Sequence, residues 1–116
     1  MNASQREDNA WIAEHVFGWQ RGKLWGNGNG EWIVDGKTYP DAPSWSQTPF
    51  YSTDPAATFE LESKCAEELG LAGDGMIVWF QNGLWHHGIA DRTEWMTEAP
   101  TRGESACAFA RKLFTK

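Results

Sequence analysis

Two adjacent histidines are the residues of this 116-residue chain that most directly suggest metal chemistry. His86 and His87 lie in an apolar run with the composition of a strand, so their side chains are expected on opposite faces of a sheet. Two imidazoles on opposite faces do not chelate one metal ion, and no Cys or acidic cluster has zinc-ligand spacing. The sequence therefore predicts no metal site and no cofactor.

Two cysteines are the strongest candidate nucleophiles. Cys65 and Cys107 fall at core-facing positions of predicted helices, where a thiol acts as a small hydrophobic group. A thiol buried among apolar groups has a raised pKa and is a poor nucleophile. A Cys–His pair that includes His86 is an alternative, but the chain is not expected to be an enzyme.

Two carboxylates occupy positions that need an explanation. Asp54 precedes Pro55 at the head of a run with helical spacing, which is typical of an N-cap followed by proline at the first helical position. Glu62 falls inside the apolar arc of the same run. We expect Glu62 to reach the rim of the sheet and stay solvated, and the alternative is a buried carboxylate with a function.

A glycine-rich stretch, LWGNGNGEWIVDGKTYP, raises the question of a phosphate cradle. Such a cradle needs a helix N-terminus directly after it. Here residues 31–34 have the composition of a strand instead, and Asp35-Gly36 is a hairpin turn pair. The stretch Asn27–Gly30 is therefore predicted to be a loop between two antiparallel strands.

Three amphipathic runs must position these side chains. They predict helices over residues 5–17, 54–69 and 101–114. Capping-box spacing precedes the first at Ser4 and Glu7 and the third at Thr101 and Glu104. Gly18 lies where the left-handed residue after a helix belongs.

Residues 75–89 carry the strongest short-range signal, because Asn82-Gly83 is the preferred pair of a two-residue hairpin turn. The predicted cross-strand pairs are Phe80 with Trp85, Trp79 with His86, and Val78 with His87. Both faces of this hairpin are apolar and need cover. Residues 40–49 hold three prolines and are predicted to form an exposed extended loop, and residues 91–100 to form a second loop.

These elements predict a single α+β domain spanning residues 1–116. An antiparallel sheet would have helices packed on its faces, as in an α-β-α sandwich. The net charge of −6 argues against nucleic-acid binding, which needs clustered Lys and Arg. No apolar run approaches the roughly 20 residues of a membrane span, and the N-terminal residues do not resemble a signal peptide. A cytoplasmic location is expected.

Eight tryptophans are unusual in a chain of this length. Four of them lie off the predicted core and are candidate partner contacts: Trp11, Trp25, Trp45 and Trp95. Exposed tryptophan is enriched in binding hot spots. The alternative is that these rings cover sheet edges. The acidic helix face formed by Glu60, Glu67 and Glu68 is a further candidate contact.

Three blocks of the chain resemble the phage ABA-sandwich family: AEHVFGW (13–19), YSTDPAATFELESK (51–64) and EAPTRGESACAFARKLF (98–114). The resemblance implies a small protein encoded by tailed phages or prophages, with an antiparallel sheet between helices. It implies no shared activity and no catalytic residue. Glu62 departs from the family pattern, in which an apolar residue is usual at that place.

The predicted function is that of a phage or prophage binding protein that acts on a host component in the bacterial cytoplasm. Its most concrete form is an inhibitor of a defence system, similar to an anti-CRISPR protein, that blocks a basic surface of a host protein. One alternative is a protein that sequesters a nucleotide signal between tryptophan rings. Another is an enzyme that uses a Cys and a His.

Overall fold

The protein is an α+β structure, as predicted, but its strands form two antiparallel sheets instead of the single sheet that was expected. The computed structural model describes the backbone of residues 3–115 and the side chains of residues 6–115. The elements follow in the order α1 (Ala3–His15), β1 (Gln20–Gly26), β2 (Asn29–Ile33), a 3₁₀ turn (Trp45–Gln47), α2 (Pro55–Leu71), β3 (Met76–Gln81), β4 (Leu84–Ile89), β5 (Arg92–Ala99) and α3 (Arg102–Phe114). Among the described residues, no helix is long and apolar enough to cross a bilayer. The chain divides into two compact units, residues 1–49 and 50–116, which are described in turn.

The first unit begins with α1, which ends two residues earlier than predicted. Ile12 and Ala13 on this helix are fully buried. Gly18 has a φ of +74°, and the Trp19 amide donates to the Ala13 carbonyl at 3.0 Å, so the predicted left-handed residue after the helix is confirmed. The capping box predicted at Ser4 and Glu7 includes a side chain outside the described residues.

The glycine-rich stretch contains the turn of the β1–β2 hairpin, as predicted, but the turn is two residues long because Asn29 and Gly30 of the predicted loop already belong to β2. Asn27 and Gly28 both have positive φ, at 54° and 73°. The strands pair antiparallel with Gln20 opposite Ile33, and Trp32 on β2 is buried. The stretch is followed by a strand and not by a helix, so it lacks the amides that a phosphate cradle requires.

The prediction of an exposed extended loop over residues 40–49 is wrong. Three of its residues are buried, namely Ala42, Ser44 and Thr48. The loop is drawn onto the hairpin by two indole hydrogen bonds. Trp32 Nε1 donates to Thr48 Oγ1 at 2.8 Å, and Trp45 Nε1 donates to the Glu31 carbonyl at 2.8 Å. Proline excludes an interior strand here, but it does not prevent close packing of the side chains between the prolines.

The second unit contains a three-stranded antiparallel sheet in the order β3-β4-β5. The hairpin pairs Phe80 with Trp85, Trp79 with His86, and Val78 with His87, in the predicted register. Asn82 and Gly83 form its turn with φ of 56° and 77°.

The loop predicted over residues 91–100 is instead strand β5. It pairs with β4 through Trp85 opposite Ala99 and His87 opposite Thr97. Half-buried residues alternate with exposed ones along the second half of β5. That alternation was obscured by Glu94 and Glu98, since glutamate is depleted in strands.

Helices α2 and α3 pack against each other, and α3 lies along β4 and β5. Asp54 Oδ1 accepts from the Ala56 amide at 3.1 Å, and Thr101 Oγ1 accepts from the Glu104 amide at 3.1 Å. Both predicted N-caps are therefore confirmed. The buried apolar residues of the two helices are Ala57, Leu61, Cys65, Leu69, Ala106, Cys107, Phe109 and Ala110.

Candidate functional site

Glu62 on α2 lies at the centre of a buried polar cluster. The prediction that this carboxylate stays solvated at the rim of the sheet is wrong, since Glu62 is only 6% exposed. His87 Nε2 lies 2.6 Å from Glu62 Oε2. Arg102 donates twice, from Nε to Oε2 at 2.8 Å and from Nη2 to Oε1 at 3.0 Å. Hydrogen bonds from residues on β4 and α3 therefore replace the hydrogen bonds to water that the carboxylate loses on burial.

The ionised form of Glu62 is favoured by these partners. Burial alone opposes ionisation, but the hydrogen bonds from His87 and Arg102 outweigh it and hold the pKa of Glu62 below its usual value. The hydrogen bond to Glu62 likewise raises the pKa of Arg102. Because an ionised carboxylate can only accept hydrogen bonds, His87 Nε2 carries a hydrogen and donates a hydrogen bond to Glu62.

The other nitrogen of the same imidazole extends the network into α3. His87 Nδ1 lies 2.8 Å from Ser105 Oγ, and Thr97 on β5 donates to the Ser105 carbonyl at 3.1 Å. His87 and Ser105 are both fully buried. The cluster thus joins α2, β4, β5 and α3 by side-chain hydrogen bonds.

The Ser105–His87–Glu62 chain has the residue types of a hydrolytic triad. A nucleophile must reach its substrate, however, and the Ser105 hydroxyl is enclosed between α3 and the sheet with 0% exposure. We therefore interpret this cluster as an organiser of the fold that fixes the Arg102 side chain. The Arg102 guanidinium also lies 5.3 Å from the centre of the Trp85 ring, a cation–π distance.

A cleft of about 510 Å³ opens where the N-terminal ends of α2 and α3 meet. It is lined by Ser52, Thr53, Pro55, Thr58, Phe59, Glu62, Thr101, Arg102, Gly103 and Glu104. We call it the α2–α3 cleft. Phe59 is 68% exposed at this cleft, and Arg102 is half exposed there.

Close packing of backbone brings the two helix ends together. Gly103 lies so near the carbonyl of Ser52 that any Cβ at position 103 would overlap that oxygen. Only glycine fits such an approach. The width of the α2–α3 cleft therefore depends on this one residue.

The four tryptophans predicted as partner contacts differ in exposure. Trp25 is 42% exposed, with its ring edge-on to Tyr39 at 5.1 Å. The other three, Trp11, Trp45 and Trp95, are half-buried.

Each half-buried ring has a neighbour within its own unit. Trp11 stacks on His15 at 4.4 Å, and the Lys112 ammonium lies 5.9 Å from the Trp95 ring. Trp45 covers Gly30, where a Cβ would lie 2.7 Å from the indole. The contact with Gly30 of β2 favours the covering role for Trp45.

The predicted acidic face of α2 is present. Glu60 and Glu67 are exposed and Glu68 is half-buried, while Lys64 lies 3.9 Å from Glu67. Phe59 lies next to this face along the helix. Both Phe59 and the acidic face are therefore carried by the helix that lines the α2–α3 cleft.

The residues considered for chemistry are enclosed. Cys65 and Cys107 are free and buried, and burial raises the pKa of the Cys65 thiol to about 12. His86 and His87 point to opposite faces of the sheet, as predicted. His86 stacks on Trp79 at 4.9 Å, whereas His87 faces the helices. Within residues 6–115, no group of three potential metal-ligating side chains comes together.

Sequence reasoning missed three residues of this site, Phe59, Arg102 and Ser105, and considered His87 only as a metal ligand. The signal that was present is Glu62, whose place in an apolar arc requires a buried cation or donor nearby. An inward-facing His87 at the centre of the hairpin was a second signal. Arg102 lies 40 residues from Glu62 in the chain, so no local pattern joins them.

No protein-family model matches this chain. Neither a curated protein nor a solved structure matches it. The resemblance to the phage ABA-sandwich family therefore stays a prediction, carried by the three sequence blocks alone.

Proposed function

We propose that this chain is a non-catalytic binding protein that covers a basic surface of a partner protein with the outward face of α2 and the α2–α3 cleft. The observation that carries this proposal is Phe59, a large aromatic side chain 68% exposed on a regular helix. Carboxylates lie beside it on both helices, Glu60 on α2 and Glu104 on α3. Aromatic residues are enriched at the core of protein interfaces, and charged residues lie mostly at the rim.

The charge distribution supports a basic partner. The chain has a net charge of −6, and Glu60 and Glu67 are exposed on the same helix as Phe59. An acidic surface speeds encounter with a basic protein and repels phosphate backbones. The same charge supports a protein partner over a nucleic acid.

The buried cluster supports binding by keeping the surface rigid. Glu62, His87 and Arg102 hold α2 and α3 on the sheet through short hydrogen bonds. A preformed surface loses less conformational entropy on association than a flexible one. Phe59 is therefore presented by a fixed helix.

The biological role follows from the resemblance to phage proteins. In that setting the partner is a nucleic-acid-binding protein of a bacterial defence system in the host cytoplasm. Covering its basic surface would prevent it from binding DNA or RNA. This anti-defence role rests on the three sequence blocks and on the acidic charge.

The alternative of nucleotide capture between tryptophans has weaker support. In the first unit, Trp32 contacts Trp19 and Trp45 directly, at centroid distances of 5.8 and 6.5 Å. A base would have to separate such rings before it could stack between them.

Affinity capture from bacterial lysate, followed by Kd measurement with the purified captured protein, tests the proposal. Phe59→Ala should weaken binding about thirtyfold, since truncation of a hot-spot residue costs about 2 kcal/mol or more. Leu24→Ala is the matched control, because Leu24 is 64% exposed on β1 in the other unit. Equal affinities of the wild type and Phe59→Ala, or an acidic captured protein, would contradict the proposal.

A further inference from the structure

We infer that the α2–α3 cleft receives a single arginine or lysine side chain of the partner. The aliphatic stem would lie against Phe59, and the cationic head would meet Glu104 and the floor of the cleft at Glu62. This inference rests on the proposed function and names the chemical group that the site recognises.

The charges of the cleft favour a cation. Two carboxylates, Glu62 and Glu104, line it against one guanidinium, Arg102. Arg102 is already bound by both oxygens of Glu62. The Glu104 carboxylate makes no hydrogen bond or ion pair with any residue of the described chain, so it is the open charge of the site.

The neutral groups of the cleft suit the same occupant. Phe59 offers an aromatic face, which attracts ammonium and guanidinium groups. The hydroxyls of Ser52 and Thr53 have no hydrogen-bond partner within residues 6–115, and each can accept from an N–H donor. Glu62 Oε1 accepts one bond from Arg102 and keeps a second acceptor position.

The dimensions fit a side chain with its flanking backbone. The volume of about 510 Å³ lies within the range of roughly 300–1,000 Å³ that is usual for ligand sites. Two helix N-termini at the cleft would favour an anion. The carboxylates of Asp54, at the N-cap of α2, and of Glu104, in the first turn of α3, oppose it.

A direct test uses blocked tripeptides and ¹⁵N-labelled protein. The probes are N-acetyl-Ala-Arg-Ala-amide, the same peptide with neutral, isosteric citrulline, and the same peptide with glutamate. The arginine peptide should shift the amide resonances of residues 52–59 and 101–104 in a saturable way. The citrulline peptide should bind at least about tenfold more weakly, which corresponds to loss of about 1.4 kcal/mol.

Two variants locate the cation. Glu104→Gln should reduce affinity for the arginine peptide several-fold. Glu94→Gln, the same change at an exposed glutamate of β5, should leave it unchanged. The inference would be overturned if the arginine and citrulline peptides bound equally, or if the glutamate peptide bound more tightly. It would also be overturned if the shifts were confined to other residues, or if no shift appeared at 20 mM peptide (about the weakest useful affinity).

The same variants separate this inference from the proposed function. Measured against the captured partner, loss of affinity in both Phe59→Ala and Glu104→Gln supports both. Loss of affinity in Phe59→Ala alone supports the proposed binding surface and refutes the inference that the cleft receives a cation. No loss in either refutes both.

Discussion

At the scale of single residues, Glu62 shows how a buried charge is made tolerable. Its two oxygens receive three hydrogen bonds, from one imidazole and one guanidinium. Removing one partner of such a group leaves the others desolvated and unpaired, which costs more than the hydrogen bond itself gains. Glu62 therefore belongs with the residues that maintain the fold, although its residue type suggested chemistry.

Stability should fall in acid because of Glu62. Its folded-state pKa lies below the ordinary value of 4.5, so its contribution is complete above that value and is lost as pH falls through the lower, folded pKa. Glu62→Gln should lower the free energy of unfolding by about 2 kcal/mol at pH 7 and flatten its decline between pH 5 and 3 (roughly the range in which carboxylates titrate). Urea denaturation across this range measures both effects.

The exposed Glu67→Gln serves as the control for this titration. Glu67 has a solvated side chain that pairs only at 3.9 Å with Lys64, and such surface pairs contribute little. Its profile should follow that of the wild type. Parallel profiles for the wild type and Glu62→Gln would show that ionisation of Glu62 does not stabilise the fold.

At the scale of elements, the loop over residues 40–49 is held by its tryptophan. Trp45 donates to the Glu31 carbonyl, packs on Gly30 and lies 5.5 Å from the Arg21 guanidinium. The ring thus covers the β1–β2 hairpin from one side. These contacts give Trp45 a structural role in the first unit.

Trp45→Ala should therefore destabilise the protein. Loss of a half-buried indole and its hydrogen bond should lower the free energy of unfolding by about 2 kcal/mol, below the 3–5 kcal/mol of a fully buried ring. Trp25→Ala, which removes an exposed ring, should cost less than about 0.5 kcal/mol. Thermal and urea unfolding measure the stability of the two variants. Equal stability of Trp45→Ala and Trp25→Ala would contradict the covering role of Trp45.

The sequence predicted those elements whose signals are local. The Asn82-Gly83 turn, the caps at Asp54 and Thr101, and the three helices are each specified by residues close together in the chain. Strand β5 was missed because Glu94 and Glu98 belong to a residue type that is depleted in strands. The packing of residues 40–49 and the Glu62–Arg102 pair were missed because they depend on contacts across long stretches of sequence.

At the scale of the whole molecule, charge is expected to control the rate of binding. Exposed carboxylates on α2 act together at the distances over which an approaching partner is attracted. These long-range forces affect association more than dissociation. Salt should weaken them, because the screening length at physiological ionic strength is only about 8 Å.

Charge reversal on α2 tests this expectation. Glu60→Lys with Glu67→Lys should lower the association rate constant about tenfold at low salt and less at high salt, with little change in dissociation. Asp41→Lys with Glu94→Lys makes the same change in net charge at other exposed positions and should have a smaller effect. Surface plasmon resonance with the captured partner measures the association and dissociation rate constants. Equal association rate constants for the two double variants would exclude electrostatic steering by α2.

The contact of Gly103 with the Ser52 carbonyl has a consequence for comparing this chain with its relatives. Any other residue at that place would force α3 away from the segment before α2 and change the space between them. In an alignment of homologues, a glycine that aligns with Gly103 would mark the chains that keep this cleft. A larger side chain there would mark lineages that have lost the cleft or reshaped it for another purpose.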